Sequence, residues 1–214
     1  MTQPLRIDFI PDIYCPWCAI GLSALQFALS RLSDDVTAEI VLHPFELNPQ
    51  MRPEGEAIVD YLGRKYGRTP EQIEETQRMI RQRGESVGFA FSPRTQVYNT
   101  FDAHRLLHWV GIEGRQMPLT LALLRAYHGE GRNPGDHEVL IDLAQSVGLD
   151  AARARGFAKR CIRGRSARTG ARQRSDGHRV RSGDHLQPAH LVSGGQPPEA
   201  FEQAIRQVLG EPQH

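Results

Sequence analysis

Asp12-Ile13-Tyr14-Cys15-Pro16-Trp17-Cys18 follows directly on the apolar run Leu5-Arg6-Ile7-Asp8-Phe9-Ile10, so two thiols three residues apart fall where a strand gives way to a helix. That placement suits dithiol redox chemistry. A free cysteine has a pKa of about 8.5, and a helix N-terminus lowers it to roughly 3.5–7.5 because unpaired N–H groups and the helix dipole stabilise the thiolate. Cys15 is the candidate nucleophile. Cys18, one turn further in, faces the same side and is expected to be the more buried, placed to attack a mixed disulfide formed at Cys15. Pro16 fits the first helical turn, where its missing N–H costs nothing. The same spacing forms half of a zinc site, but the only other cysteine is Cys161 and no histidine pair stands at a suitable spacing from it. Redox chemistry is therefore preferred over a metal site or a structural pair, and no metal is expected.

The length of 214 residues suits one domain, 1–214, carrying an insertion. A net charge of +1 argues for neither a polyanion nor a membrane partner. No apolar run approaches the roughly 20 residues that span a bilayer. Met1-Thr2-Gln3-Pro4 leads at once into a strand, with no signal-peptide pattern, so a cytoplasmic location is expected. In that reducing compartment a cysteine pair is more often catalytic or metal-binding than a structural bridge.

The periodicity predicts a strand over Leu5–Ile10, a helix over Ala19–Leu32 with Leu22, Leu25, Phe27, Leu29 and Leu32 spaced for burial, and a second strand over Val36–Phe45. Such a βαβ unit is parallel and places its chemistry at the C-terminal ends of the strands, where Cys15 falls. From Pro53 to Gly148 the pattern is helical, with four or so helices. Thr69-Pro70-Glu71-Gln72 has the form of a capping box. A final amphipathic helix is expected over Glu199–Leu209.

The Cys-Pro-Trp-Cys motif, together with Phe45-Glu46-Leu47-Asn48-Pro49, Asn99-Thr100-Phe101-Asp102-Ala103-His104-Arg105-Leu106 and Gly148-Leu149-Asp150, resembles the DsbA-like branch of the thioredoxin superfamily. Within it the sequence is most similar to FrnE-type oxidoreductases, relatives of 2-hydroxychromene-2-carboxylate isomerases and kappa-class glutathione transferases. The resemblance spans most of residues 5–152 and again Leu191–Leu209. It implies an α/β thioredoxin-like fold with a large α-helical insertion, about 53–150, between strand two and a C-terminal ββα part. It implies thiol–disulfide exchange, because the isomerase and transferase relatives generally carry serine in place of the first cysteine. A glutathione-dependent isomerase or transferase is the alternative.

Between Arg153 and Arg181 stand ten arginines with no helical or strand period, where the family places its cis-proline loop and third strand. Codons permitted for Asp176–Pro188, read one base later, spell MGIGYVPVTIFN, the Gly-x-x-Val-Pro-x-x-x-Phe-Asn signature the family carries there. A compensated frameshift over about 153–190 is the preferred account, against a divergent basic loop. As printed, the sheet is expected to lack an inner strand. Pro188 is a weak candidate for the cis-proline, and Cys161 is read as accidental. The tract could also make the chain inactive or a basic-tract binding protein, but it lacks interleaved aromatics, so no nucleic-acid partner is expected.

Pro16, Trp17, Asn99 and Arg105 are the candidate substrate contacts, the last two from the resemblance. Trp17 serves equally as packing or as surface beside Cys15. Asp12 is read as a solvated loop residue rather than a modulator of the thiol. Glu46 and Asn48 line the cleft or serve the loop. His104 and His108 are read as helix surface beside the core rather than metal ligands. The partners expected are a protein or small-molecule thiol or disulfide. No cofactor is expected beyond the redox-active Cys15–Cys18 pair, with glutathione as a possible co-substrate. The residues select neither an oligomeric state nor a direction of exchange.

Overall fold

Alternation of apolar residues builds the first strand: in β1 (Gln3–Phe9), Leu5, Ile7 and Phe9 turn inward and are buried. The computed structural model describes residues 2–150, 152–156, 178–182, 190–192 and 194–210. β1 pairs in parallel with β2 (Val36–Leu42), in a register that sets Leu5 beside Ala38 and Phe9 beside Leu42. The crossover is α1 (Pro16–Arg31), which buries Ala19, Ile20, Leu22, Ala24, Leu25 and Ala28. β2 stops at Leu42, three residues short of the expected Phe45, and Phe45 N–H instead bonds the Pro11 carbonyl.

Two short strands, β3 (Glu56–Ala57) and β4 (Gln96–Val97), pair antiparallel within the region whose sequence reads as helical throughout. Two residues are too few to display a period of two. Between them lie α2 (Ile58–Tyr66), closed by Gly67 at φ 65°, and α3 (Pro70–Glu85), opened by the expected capping box between Thr69 and Gln72. α4 (Phe101–Gly111), α5 (Gln116–Leu124) and α6 (His137–Ser146) follow. α5 runs on into a π-turn, Arg125–Gly129, which buries Tyr127 and His128. A single turn of this kind re-aims side chains and recurs at functional sites.

The sheet is completed by β5 (His178–Ser182) and β6 (His190–Val192), in the order β2-β1-β5-β6, with β5 antiparallel to both neighbours. This corrects the expectation that the inner strand would be missing. The second edge of β1 is a row of backbone donors and acceptors that must be paired. The stretch around Arg179-Val180-Arg181 supplies the partner, with Ile7 opposite Val180. Cys161, Pro188 and most of the stretch read as frameshifted lie outside the described residues. Among the described residues there is no cis peptide bond.

α7 (Pro198–Val208) packs on α1, burying Phe201, Ile205 and Val208, while Arg31 pairs at the rim with Glu199 and Glu202. One main core runs from β1, α1 and β2 through α4, α5, α6 and α7. A second, smaller cluster of Tyr14, Met51, Ile58, Tyr61 and Val97 lies between the thiol loop and the β3–α2 region.

Close packing within the helical part is tested at Gly84, where a Cβ would come within 2.4 Å of the Phe91 ring and 2.5 Å of the Phe89 carbonyl. Gly84→Ala is expected to cost about 1–3 kcal/mol through overpacking. The readout is a lower urea midpoint at unchanged slope.

Candidate active site

Cys15 is the N-cap residue of α1, extended at φ −85° and ψ 114°, with Pro16 in the first turn. Its N–H donates to the Asp12 carbonyl at 3.1 Å, and its own carbonyl accepts from Cys18 N–H at 3.1 Å. Both thiols are free and half-buried. The hydrogen bond from Cys18 holds the Cys15 thiol below its ordinary pKa; burial works against this, while the N–H groups of Cys18 and Trp17 assist. The same hydrogen bond pushes Cys18 well above the ordinary range, reinforced by burial and by the charge of Cys15. One sulfur is thereby favoured as thiolate and the other as thiol.

Asp12 is not the solvated loop residue that its sequence position suggests. It is 1% exposed, and four donors converge on its carboxylate. Oδ1 accepts from Tyr14 N–H at 2.9 Å, Thr100 Oγ1 at 3.1 Å and His104 Nε2 at 2.9 Å, while Oδ2 accepts from Leu47 N–H at 2.6 Å. A carboxylate only accepts, so Nε2 of His104 carries a proton. His104 therefore turns inward, against its expected place on the helix surface, while His108 is exposed. The Nδ1 atom of His104 is buried without a hydrogen-bond partner.

The next two carbonyls are held just as firmly. Ile13 O lies 3.0 Å from His128 Nε2, and Tyr14 O accepts from Arg94 Nη1 at 2.9 Å. The Arg94 guanidinium also lies over the rings of Tyr14 and Tyr127, at 5.3 and 5.6 Å. Burial, with a smaller contribution from Arg94, drives the His128 pKa well below its ordinary value. Burial pushes the Tyr127 phenol up to about 12.

Trp17 is half-buried against the turn at Gly194-Gly195. A Cβ on Gly195, which sits at φ 77°, would come within 2.8 Å of the indole. Asn99 uses its side chain locally: Nδ2 donates to the Met51 carbonyl at 2.8 Å and Oδ1 accepts from Phe101 N–H at 3.0 Å. Arg105 lies over the Phe101 ring at 5.7 Å. Asn48 Oδ1 accepts from Tyr61 and Lys65, which bond each other at 2.7 Å, and Tyr61 meets Tyr14 edge-on at 5.9 Å. Glu46 is half-buried. Of the sequence candidates, Cys15, Pro16, Trp17 and Cys18 are contiguous at the N-terminus of α1, with Pro16 buried and the other three half-buried, while Asn99 lies just before α4 and Arg105 within its first half. Sequence reasoning misses Thr100, Arg94 and His128, whose partners are distant in the chain and leave no local spacing to read.

Among the described residues, no group of three or more metal-ligating side chains converges, and no helix is long and apolar enough to cross a membrane.

A βαβ unit with a dithiol at the N-terminus of its crossover helix, extended by an antiparallel pair and a helical insertion, defines a thioredoxin-like protein of the DsbA type. The chain belongs to the DSBA-like thioredoxin domain family, which it matches over residues 6–162. It is 27% identical over 149 residues to the uncharacterized protein YwbO of Bacillus subtilis, covering 69% of this chain and 68% of that one. Among solved structures it is similar to a probable DsbA oxidoreductase from Streptomyces coelicolor, with a TM-score of 0.80 and 29% identity over 98% of this chain and 92% of that one. The fold is shared with a 2-hydroxychromene-2-carboxylate isomerase (TM-score 0.59, 15% identity, 95% and 96% covered). It is also shared with the cytosolic disulfide reductase DsbM of Pseudomonas aeruginosa (TM-score 0.56, 17% identity, 97% and 99% covered).

Because His128 is held neutral in the folded chain but takes up a proton near 6.5 when unfolded, its contribution is complete above that pH and is lost as the pH falls below it. Urea unfolding from pH 7.5 to 5 is expected to show a loss approaching ~1.4 kcal/mol per pH unit from this residue. His128→Gln should remove that part of the slope.

Proposed function

We propose that this protein is a thiol–disulfide oxidoreductase in which Cys15 attacks and Cys18 resolves. The observation that carries the reading is the pairing of an N-cap thiol favoured as thiolate with a second thiol, hydrogen-bonded to it, that is favoured as the protonated form.

The Cys15 thiolate attacks one sulfur of a substrate disulfide, forming a mixed disulfide and expelling the other sulfur as a thiolate. Cys18 loses its proton, attacks Cys15 Sγ and expels the second substrate sulfur, leaving a Cys15–Cys18 disulfide. The substrate gains two electrons, and its two sulfurs take up the proton released by Cys18 and one from solvent. The reverse sequence oxidises a dithiol substrate, and the potential of the partner couple sets the direction. Pro16 and Trp17 are assigned to the surface that meets the substrate, with Asn99 and Arg105 further along the α4 side. Glutathione is the proposed small-thiol partner, in keeping with the glutathione named with the structure of DsbM. A cytoplasmic setting accords with the cytosolic character of that same fold relative. The chain is read as one DsbA-like domain over 1–214.

Two variants test this. Cys18→Ser is expected to accumulate a mixed disulfide at Cys15 when given oxidised glutathione, seen as a mass increase reversed by reductant, and to lose catalytic turnover of a disulfide substrate. Cys15→Ser should lose both. A Cys18→Ser protein that turned over fully would transfer the assignment to the glutathione-dependent isomerase or transferase class, whose fold the chain shares.

A further inference from the structure

Lys65 is one of two lysines among the 26 lysines and arginines of the chain, and the only lysine among the described residues. It stands in the last turn of α2, open to solvent, yet its ammonium is held in place. Nζ donates to the Tyr61 hydroxyl at 2.7 Å and to Asn48 Oδ1, and it lies over the rings of Tyr61 and Tyr66 at 5.1 and 5.4 Å. An ammonium has three donors, so one is left for a partner arriving from solvent. Because Lys65 only donates, the Asn48 atom that faces it is the oxygen, and Asn48 Nδ2 is left buried without a hydrogen-bond partner. A buried donor left unmet opposes folding, so the fold bears a cost to fix this one cation. Its charge is also unmatched. Arg6, Arg31, Arg64 and Arg132 each meet a carboxylate, Arg64 at 2.7 Å from Glu56. Among the described residues no carboxylate pairs with Lys65, and the groups that act on it are the Tyr61 and Tyr66 phenols. Burial pulls its pKa down, but the hydrogen bond to Tyr61 and the two phenols hold it above its ordinary value, so it is a cation at neutral pH.

Both groups that hold Lys65 are tied to the thiol turn. Tyr61 meets the Tyr14 ring edge-on at 5.9 Å, and Tyr14 is the residue before Cys15. Leu47, the neighbour of Asn48, donates its N–H to the Asp12 carboxylate. We propose that Lys65, positioned by Asn48 and Tyr61, binds a carboxylate of a small disulfide substrate while a sulfur of that substrate is presented to Cys15. This rests on Cys15 and Cys18 being an exchange pair, and it narrows the substrate to low-molecular-weight disulfides that bear a carboxylate, oxidised glutathione among them. One ammonium with one donor to spare matches one monovalent carboxylate. A phosphate site would call for a bidentate arginine or several cations, and the adjacent Arg64 is already neutralised by Glu56. Lys65 forms no bond to sulfur and moves no proton; it selects which disulfide reaches the thiolate.

The test takes the reduced full chain and measures, by alkylation of the remaining thiols and mass, its rate of oxidation by oxidised glutathione and by the uncharged 2-hydroxyethyl disulfide. The ratio of the two rate constants is expected to fall about tenfold in Lys65→Gln, the lower end of what a hydrogen bond to a charged group contributes. Lys65→Arg should keep most of the ratio, Asn48→Ala should lower it by a smaller factor, and high salt should lower it in the parent. Calorimetric affinity for S-methylglutathione, which cannot exchange, should weaken in Lys65→Gln by the same factor. A ratio and an affinity within twofold of the parent overturn the proposal. Equal losses with both disulfides also overturn it, since a structural role for Lys65 slows both alike. An unchanged ratio with slower oxidation by an acidic disulfide-bonded peptide overturns it in favour of a protein substrate. Should Lys65→Gln fail to fold, Asn48→Ala and the salt dependence decide, and a parent-like ratio in both overturns it. If the parent exchanges with neither disulfide, the oxidoreductase reading falls, while S-methylglutathione still judges the site: binding that Asn48→Ala and salt weaken supports it, and no binding overturns it.

Discussion

The buried carboxylate of Asp12 is the constraint around which the rest of this molecule is arranged. Withdrawing a charge from water costs several kcal/mol unless hydrogen bonds replace the lost solvation. The donors that do so come from the thiol turn itself, from Leu47 beyond β2 and from the start of α4. Satisfying one side chain therefore brings three separate parts of the chain to one point. With Ile13 and Tyr14 anchored through their carbonyls by His128 and Arg94, the three residues before Cys15 have little freedom left.

The helical insertion is consequently part of the scaffold of the candidate site. A four-stranded sheet with α1 and α7 provides the frame, but the groups that grip the thiol turn come from the insertion: Arg94 before β4, Thr100 and His104 at α4, and His128 in the π-turn. The π-turn has a structural reason here, since it carries both Tyr127 and His128 into the interior beside the turn. The smaller core around Tyr14 and Tyr61 continues the grip on the other side, so Tyr14 belongs to the insertion's packing as much as to the loop.

Features that depend on neighbours along the chain are legible in the amino-acid sequence. The Cys-Pro-Trp-Cys placement, the parallel βαβ unit, the Thr69–Gln72 cap and the last amphipathic helix all rest on short-range spacing. Asp12 escapes such reading because a lone acid before a helix looks solvated unless its partners are seen, and two of those partners stand 88 and 92 residues away. β5 escapes it for a related reason. Its pairing is dictated by the unfilled edge of β1 rather than by an apolar alternation of its own. The two-residue strands β3 and β4 carry too little pattern to be seen at all.

The packing of α7 and the Gly195 turn on α1 also has a temporal side. Arg31 and its partner Glu199 are 168 residues apart, so the helix that carries the dithiol emerges early in synthesis and its cover emerges late. At ordinary elongation rates the interval is on the order of ten to thirty seconds. During it, α1 has no α7 packed on it, the Trp17 indole has no Gly195 beside it, and β1 has no β5 along its second edge. The nascent chain thus carries Cys15 and Cys18 for that interval before the strand that pairs with β1 and the helix that packs beside theirs have been made.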